Sequence, residues 1–259
     1  MNRKENLKNS GIIAAAATLS PVMTACGNEA SDLAGMKNIP DAYETDLLVV
    51  GGGPAGSCAA VAAARMGVKT IIIDNGNCLG GMATKGLVGP FMTCYDRYGE
   101  QMIIKGIFGE IVDRLVEKNW AIHPEHVRWE SPYTAWIKAG HDHVTPFDPE
   151  GLKVILETMC GEAGVKILYH TNFVETIMNG NAAAGAVVLQ KQGLRKIHAR
   201  MVIDATGDGD VAVSAGSPFS MGCKERDGKI QPASLFLRIN NVDSKKLEAD
   251  VYKHLPEFK

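Results

Sequence analysis

The sequence holds 259 residues, 46% apolar, 22% charged and 6% aromatic, with 27 basic against 29 acidic side chains and a formal charge of -2. A chain of this length buries a real core, and its composition excludes the disordered, fibrous and disulfide-dense classes. There is no basic field to suggest a nucleic acid partner, and no run approaches the roughly 18 apolar residues of a spanning helix.

Residues 1–10 carry Arg3, Lys4 and Lys8 against one acid, Gly11 to Met23 is small and apolar, and Thr24-Ala25-Cys26-Gly27 follows. A basic start, a short apolar run and a small-residue cleavage site describe an export signal over residues 1–25. The run Arg3 to Lys8 resembles a twin-arginine signal, with Lys4 replacing the second arginine and Asn6 the aromatic. Met23-Thr-Ala-Cys26 resembles a bacterial lipobox. Lipidation at Cys26 would anchor an exported, periplasmic or cell-surface chain to the membrane by lipid alone. Residues 26–44 mix Gly, Ser, Asp, Asn and Pro without periodicity, which predicts a flexible tether.

Asp46 to Val50 is a short β-branched run, followed at once by Gly51-Gly-Gly53-Pro54-Ala55-Gly56 and an Ala-rich stretch to Met66. Gly67 stops that helix, and Val68 to Ile73 is a second buried strand ending in Asp74. One βαβ unit results. Gly51 permits the tight turn, Gly53 lets backbone approach a pyrophosphate at the helix N-terminus, and Gly56 lets helix and strand pack closely. Asp74, twenty-three residues after Gly51, is placed to accept hydrogen bonds from both hydroxyls of a ribose and to repel a 2′-phosphate. These residues alone leave the choice of dinucleotide open.

Three later segments bear on that choice. Leu79-Gly80-Gly81-Met82-Ala83-Thr84 follows Asp74, and the strand Met201 to Asp204 runs into Ala205-Thr206-Gly207-Asp208-Gly209-Asp210. Between them, Lys166 to Val174 and Ala184 to Leu189 read as strands joined through the turn Asn179-Gly180-Asn181. At this point the chain resembles the bacterial FAD-dependent oxidoreductases with a glutathione-reductase-like flavin domain, on GGGPAG, LGGMAT and IDATGDGD. The resemblance covers about residues 45 to 259, through FDPEGLK (147–153) and QPASLFLRINNVD (231–243).

The resemblance implies FAD as cofactor. Gly51, Gly53, Pro54, Ala55 and Gly56 would meet its pyrophosphate, and Asp74, standing where most members have Glu, the adenosine ribose. Gly80, Gly81 and Thr84 would lie along the ribityl and flavin side, and Val174 would offer backbone to adenine. Ala205, Thr206, Gly207 and Asp208 would pass close to the cofactor. The fold class expected is α/β, a three-layer FAD/NAD(P)-binding (Rossmann-like) domain at residues 45–216. A helical insertion at 96–146 would interrupt it, and an incomplete substrate domain would begin at 217–259. Family members continue past this point with a long substrate sheet, so the chain is expected to hold only the start of that domain.

Absences shape the functional expectation. Cys78 has no cysteine within the next fifteen residues, unlike the redox pairs of disulfide reductases, and no second G-x-G-x-x-G marks a nicotinamide domain. The cysteines at 58, 78, 94, 160 and 223 are read as small buried hydrophobes. Residues 96–149 gather Trp120, Trp129, Trp136, His123, His126, His141 and His143. Ile103 to Lys118 has a helical period, His141-Asp142-His143 reads as a solvated loop, and Asp148-Pro149 opens a helix running to Gly161. The expected function is FAD-dependent oxidation or reduction of a small organic substrate with an unidentified electron acceptor. A catalytic acid or base is not assigned. Two alternatives stand beside it: a non-catalytic flavin-binding lipoprotein, and an NAD-dependent Rossmann dehydrogenase with βαβ units alternating after Asp74.

Overall fold

The computed structural model describes residues 38–128, 131, 134, 141–223 and 227–254. The export signal, Cys26, most of the tether, Trp129 and Trp136 lie outside the described residues. Every strand and helix described belongs to the unit Ile39–Lys259. The strands are β1 (Asp41–Val50), β2 (Thr70–Ile73), β3 (Lys166–Leu168), β4 (Asn172–Asn179), β5 (Ala182–Gln190) and β6 (Gly193–Asp204). The helices are α1 (Pro54–Arg65), α2 (Ile107–Glu117), α3 (Pro149–Glu162), α4 (Asp210–Ser214) and α5 (Ser244–His254).

Alternation along β1 decides the layering. Leu47 and Val49 point to one face, where Ile72 joins them in a core with Val61 of α1, Leu115 of α2 and Leu152 and Met159 of α3. Leu48 and Val50 point to the other, sharing a second core with Ile71, Ile73, Val188 of β5 and Ile197 of β6. Burial on both faces is why these strands read as unbroken apolar runs.

The six strands form one sheet in the order β3-β2-β1-β6-β5-β4. β3, β2, β1 and β6 run parallel, whereas β5 and β4 are antiparallel to their neighbours. β6 therefore belongs to both halves. The expected three-layer α/β architecture is present, with helices, parallel strands and an antiparallel meander. One crossover, from β2 through α2 and α3 to parallel β3, follows Asp74, and after it the antiparallel meander stands in place of the further alternating βαβ units a nicotinamide dehydrogenase would need.

Several boundaries differ from the sequence expectation, each for a tertiary reason. Lys166 to Val174 is two strands: β3 closes the parallel edge, His170 turns the chain at φ +49, and β4 begins on the opposite edge of the sheet. The final strand starts at Gly193 instead of Met201, because its first half pairs with β5. β1 starts at Asp41, inside the expected tether, where Asp41 to Glu44 pair with Lys196 to His198 of β6. The sheet thus begins four residues before position 45. α2 starts only at Ile107, after Gly106 at φ +67, and leaves Ile103 and Ile104 exposed outside the helix. Asp148 caps α3 as expected, its side chain accepting from Glu150 N.

The insertion leaves and rejoins the domain at one place, tied by bridges Phe91 to Thr145 and Ala121 to Phe147 and by the stacked rings of Phe91 and Phe147. Across the helices, Arg65 makes a bidentate pair with Glu110, and Arg114 bridges Glu110 and Glu162. These guanidinium contacts hold both glutamates below the usual carboxylate range. Solvent screening of these exposed groups leaves each pair worth little, so they align α1, α2 and α3 more than they stabilise them. Beyond Ser217 the described residues form no strand before α5, and Leu235, Leu237 and Ile239 are 70–89% exposed.

Candidate functional site

β1, β2 and β6 run parallel, so their carboxyl ends lie together, and the strand order reverses at β1, with β2 on one side and β6 on the other. A crevice opens beyond strand ends at such a switch point. A cavity of about 170 Å³ lies there, lined by Val50, Gly51, Ile73, Asp74, Asn75, Thr171, Asn172, Phe173, Thr206 and Asp210.

The glycines around it have different tasks. Gly51 sits at φ +104, and a Cβ on it would collide with the carbonyl of Ala205. A Cβ on Gly56 would collide with the carbonyl of Gly51, so this residue sets the approach of α1 to the sheet. At Gly53, by contrast, a Cβ would meet nothing within 4 Å. Gly53 is the N-cap of α1, Pro54 follows at the first helical position, and no side chain caps this end. The first-turn amides of α1 thus carry no side-chain cap and face open space, which suits an anion. Pro54 and Ala55 are exposed beside it.

Gly52 is a residue that sequence reasoning passed over. Its N–H donates to Asp74 Oδ2 at 2.9 Å, and its carbonyl accepts from Gly80 N at 2.8 Å and from Ser57 Oγ at 3.1 Å. Its only signal in the sequence is being the middle glycine of three. Gly81 packs on the same turn, since a Cβ there would lie 2.9 Å from Gly53 Cα. The structure therefore brings the LGGMAT segment against GGGPAG. Thr84, placed by the resemblance along the flavin side, is 1% exposed and donates its hydroxyl to Leu79 O at 2.8 Å. It shapes the loop, and the outward surface is formed by Met82.

Asp74 is 7% exposed and already holds three donors: Gly52 N, Gly76 N at 2.7 Å and Lys85 Nζ at 2.7 Å. A carboxylate has about four lone-pair positions, so the expectation that it accepts from both ribose hydroxyls is reduced to one. Val174 falls in a bulge of β4, where the register with β5 steps from Phe173 to Glu175. An edge-strand residue skipped by the ladder is where backbone can serve a planar ligand.

On the other side of β1, Asp204 organises the ATGDGD loop. Its carboxylate accepts from Thr206 Oγ1 at 2.7 Å, Thr206 N at 3.1 Å and Ala212 N at 2.9 Å. Burial pushes its pKa up, but these donors outweigh burial and hold it below the ordinary 3.8. Thr206 Oγ1 in turn accepts from Gly209 N and Asp210 N, both at 3.0 Å. Ala205, Thr206 and Gly207 are thereby held at the carboxyl end of β6, with Gly207 and Asp208 exposed.

The insertion's titratable groups stand elsewhere. His143 is 6% exposed, not solvated: its Nδ1 lies 3.0 Å from Pro124 O and its ring stacks on Tyr95 at 4.2 Å. Among the described residues, no three His, Cys, Asp or Glu side chains gather to hold a metal. A cavity of about 390 Å³ on α2, lined by residues such as Lys105, Asp113 and His123, shares no residue with the strand-end crevice. Cys78, Cys94 and Cys160 are buried and Cys58 and Cys223 half-buried, and burial pushes the Cys160 thiol up to about 11, which keeps it unreactive.

A family model described as FAD dependent oxidoreductase matches residues 46–257. The chain is 29% identical to thiamine thiazole synthase of Aeropyrum pernix over 174 residues, 63% of this chain and 54% of that one. It is 27% identical to digeranylgeranylglycerophospholipid reductase of Methanoculleus marisnigri over 168 residues, 62% of this chain and 38% of that one. The chain thus spans about half the length or less of these curated relatives. Among solved structures, a geranylgeranyl bacteriochlorophyll reductase-like protein of Thermoplasma acidophilum is 23% identical with a TM-score of 0.44, covering 67% of this chain and 42% of that one.

The two kinds of glycine separate by measurement. Gly51→Ala, forced into Ala205 at a positive φ, is expected to lose about 1–3 kcal/mol or more of stability. Gly53→Leu should change stability by about 1 kcal/mol or less while weakening FAD about 100-fold or more. Thermal melts and flavin titrations of both variants check this, and equal loss of stability in the two would sink the distinction. Asp204→Asn should be destabilising near neutral pH. The folded pKa of Asp204 is depressed, so its contribution is present above about 3.8 and lost as pH falls through the lower folded value. Melts from neutral pH downward should show the gap between wild type and variant narrowing below about pH 4, and a constant gap would contradict the assignment.

Proposed function

The chain belongs to the FAD dependent oxidoreductase family, and from that premise we propose that it oxidises a small organic substrate through the flavin and passes the electrons to a separate acceptor. FAD is the cofactor, and when bound it supplies hydride or electron-pair acceptance at flavin N5. The observation that carries the reading is the uncapped N-terminus of α1 facing open space at Gly53, on the same turn as Gly51, which lines the crevice at the strand ends.

Each residue then has a task set by its geometry. The α1 N-terminus at Gly53, Ala55 and Gly56 binds the pyrophosphate through amides that no side chain caps. Asp74 accepts one ribose hydroxyl at its remaining lone pair, and Val174 offers backbone at the bulge. Gly80 and Gly81 carry the cofactor's path away from the phosphate turn, and Ala205 to Gly207 border it from β6. Substrate contacts belong to residues beyond this cradle, and the acid or base that moves a proton is unassigned. Purified chain should show flavin absorbance at near one FAD per chain, and anaerobic addition of candidate donors should bleach it. A colourless protein that binds NAD in calorimetry overturns the cofactor, whereas bound flavin that dithionite alone reduces favours a non-catalytic flavin carrier.

The proposal extends to location. Export with lipid attachment at Cys26 would place this chemistry at the outer side of the cytoplasmic membrane, and it is supported by the basic start, the Gly11 to Met23 run and Thr-Ala-Cys. Among the described residues no helix is long and apolar enough to cross a membrane. Stable anchoring needs more than one acyl chain, so intact mass should show several, and Cys26→Ser should move the protein to the soluble fraction. Membrane fractionation unchanged in the variant, with no acyl mass on the wild type, would refute it.

A further inference from the structure

Lys85 has no task in the cofactor cradle so far, yet its ammonium stands against an acid of the site that already holds two backbone donors. Nζ lies 2.7 Å from Asp74 Oδ1 and 3.3 Å from Asn75 Oδ1. Both of those residues line the strand-end crevice. The position is built: a Cβ on Gly76 would collide with Nζ, so the glycine makes room for the ammonium while its own N–H donates to the same Oδ1. The Asp74 side chain is 8% exposed and that of Lys85 34%, so the cation sits at the rim with the acid behind it.

The count of donors and acceptors gives this pair a second role. Asp74 has about one lone pair left after Gly52, Gly76 and Lys85. An ammonium has three N–H donors, and Asp74 and Asn75 take two, leaving one. A ribose presents two adjacent hydroxyls, each able to donate or accept, and a carboxylate with one free position satisfies only one of them. We propose that Lys85 is the second recognition group for the adenosine ribose, donating to one hydroxyl oxygen while the other hydroxyl donates to Asp74. The proposal rests on FAD as the cofactor and deepens its adenosine end: a cis-diol is read by an ion pair, one partner as acceptor and one as donor.

Equilibrium displacement of FAD from the full chain by ADP, 2′-deoxy-ADP and 3′-deoxy-ADP, followed by flavin fluorescence, tests it. In the wild type, loss of either hydroxyl should weaken the competitor about tenfold, the scale of a hydrogen bond to a charged group. In Lys85→Met one of these two penalties should vanish to within about twofold and the other persist, as a coupled pair requires. Gly76→Ala, which displaces the ammonium and leaves the lysine in place, should reproduce that selective loss. Equal weakening of all three competitors in the variants, unchanged penalties in the variants, or a wild type that ignores both deoxy changes overturns the role of Lys85 while leaving FAD binding intact. A wild type that binds neither FAD nor ADP overturns the cofactor itself, and this assignment with it.

Discussion

The close passage of Gly51 beneath the carbonyl of Ala205 is the constraint on which the rest of the site depends. β1 and β6 are 154 residues apart at these positions, yet they run side by side from Leu47–Met201 to Val50–Asp204, and Ala205 N donates to Val50 O at 2.8 Å. With no room for a Cβ between them, the turn after β1 and the turn after β6 come off the sheet as one unit. α1 starts from the first turn and α4 from the second, which brings a helix N-terminus and the ATGDGD loop to the same strand ends.

Around that contact the polar groups form two knots, each centred on an acid. Asp74 gathers Gly52, Gly76 and Lys85, and through the Gly52 carbonyl the knot extends to Gly80 and Ser57. Asp204 gathers Thr206 and Ala212, and through Thr206 reaches Gly209 and Asp210. A carboxylate that holds three donors is rigid, since moving it strands several partners at once. The crevice lies between the two knots, lined by Asp74 itself and by backbone that buried Asp74 and half-buried Asp204 hold in place. Such a wall offers a ligand mostly backbone groups.

The helical face and the segment after Ser217 contrast with this. α1, α2 and α3 bury Leu115, Leu152 and Met159 completely and are aligned by the Arg65, Glu110, Arg114 and Glu162 pairs. Residues 217–223 and 227–242 instead expose Phe219, Met221, Leu235, Leu237 and Ile239, and Arg238 reaches the α3 N-cap Asp148 at 3.2 Å. Burial in the described residues therefore concentrates where sheet and helices share a core, and the strand-end crevice lies against that core.

By itself the sequence determined what neighbouring residues determine. Three glycines at a fixed spacing between a strand and a helix, an acid at the end of the next strand, an Asn-Gly turn between β4 and β5, and Asp148-Pro149 before α3 all act within a few residues. Their spacing therefore carries their meaning. The split of Lys166 to Val174 into two strands, the entry of Asp41 into the sheet, and the burial of His143 against Tyr95 were decided only by tertiary structure. So were the Lys85 to Asp74 pair and the collision that forbids a Cβ at Gly51. In each of those cases the deciding partner is distant along the chain or reached by a side chain around a turn. Pattern and propensity register which residues are apolar or flexible, but the lone pair left on an acid depends on which donors the folded backbone brings to it.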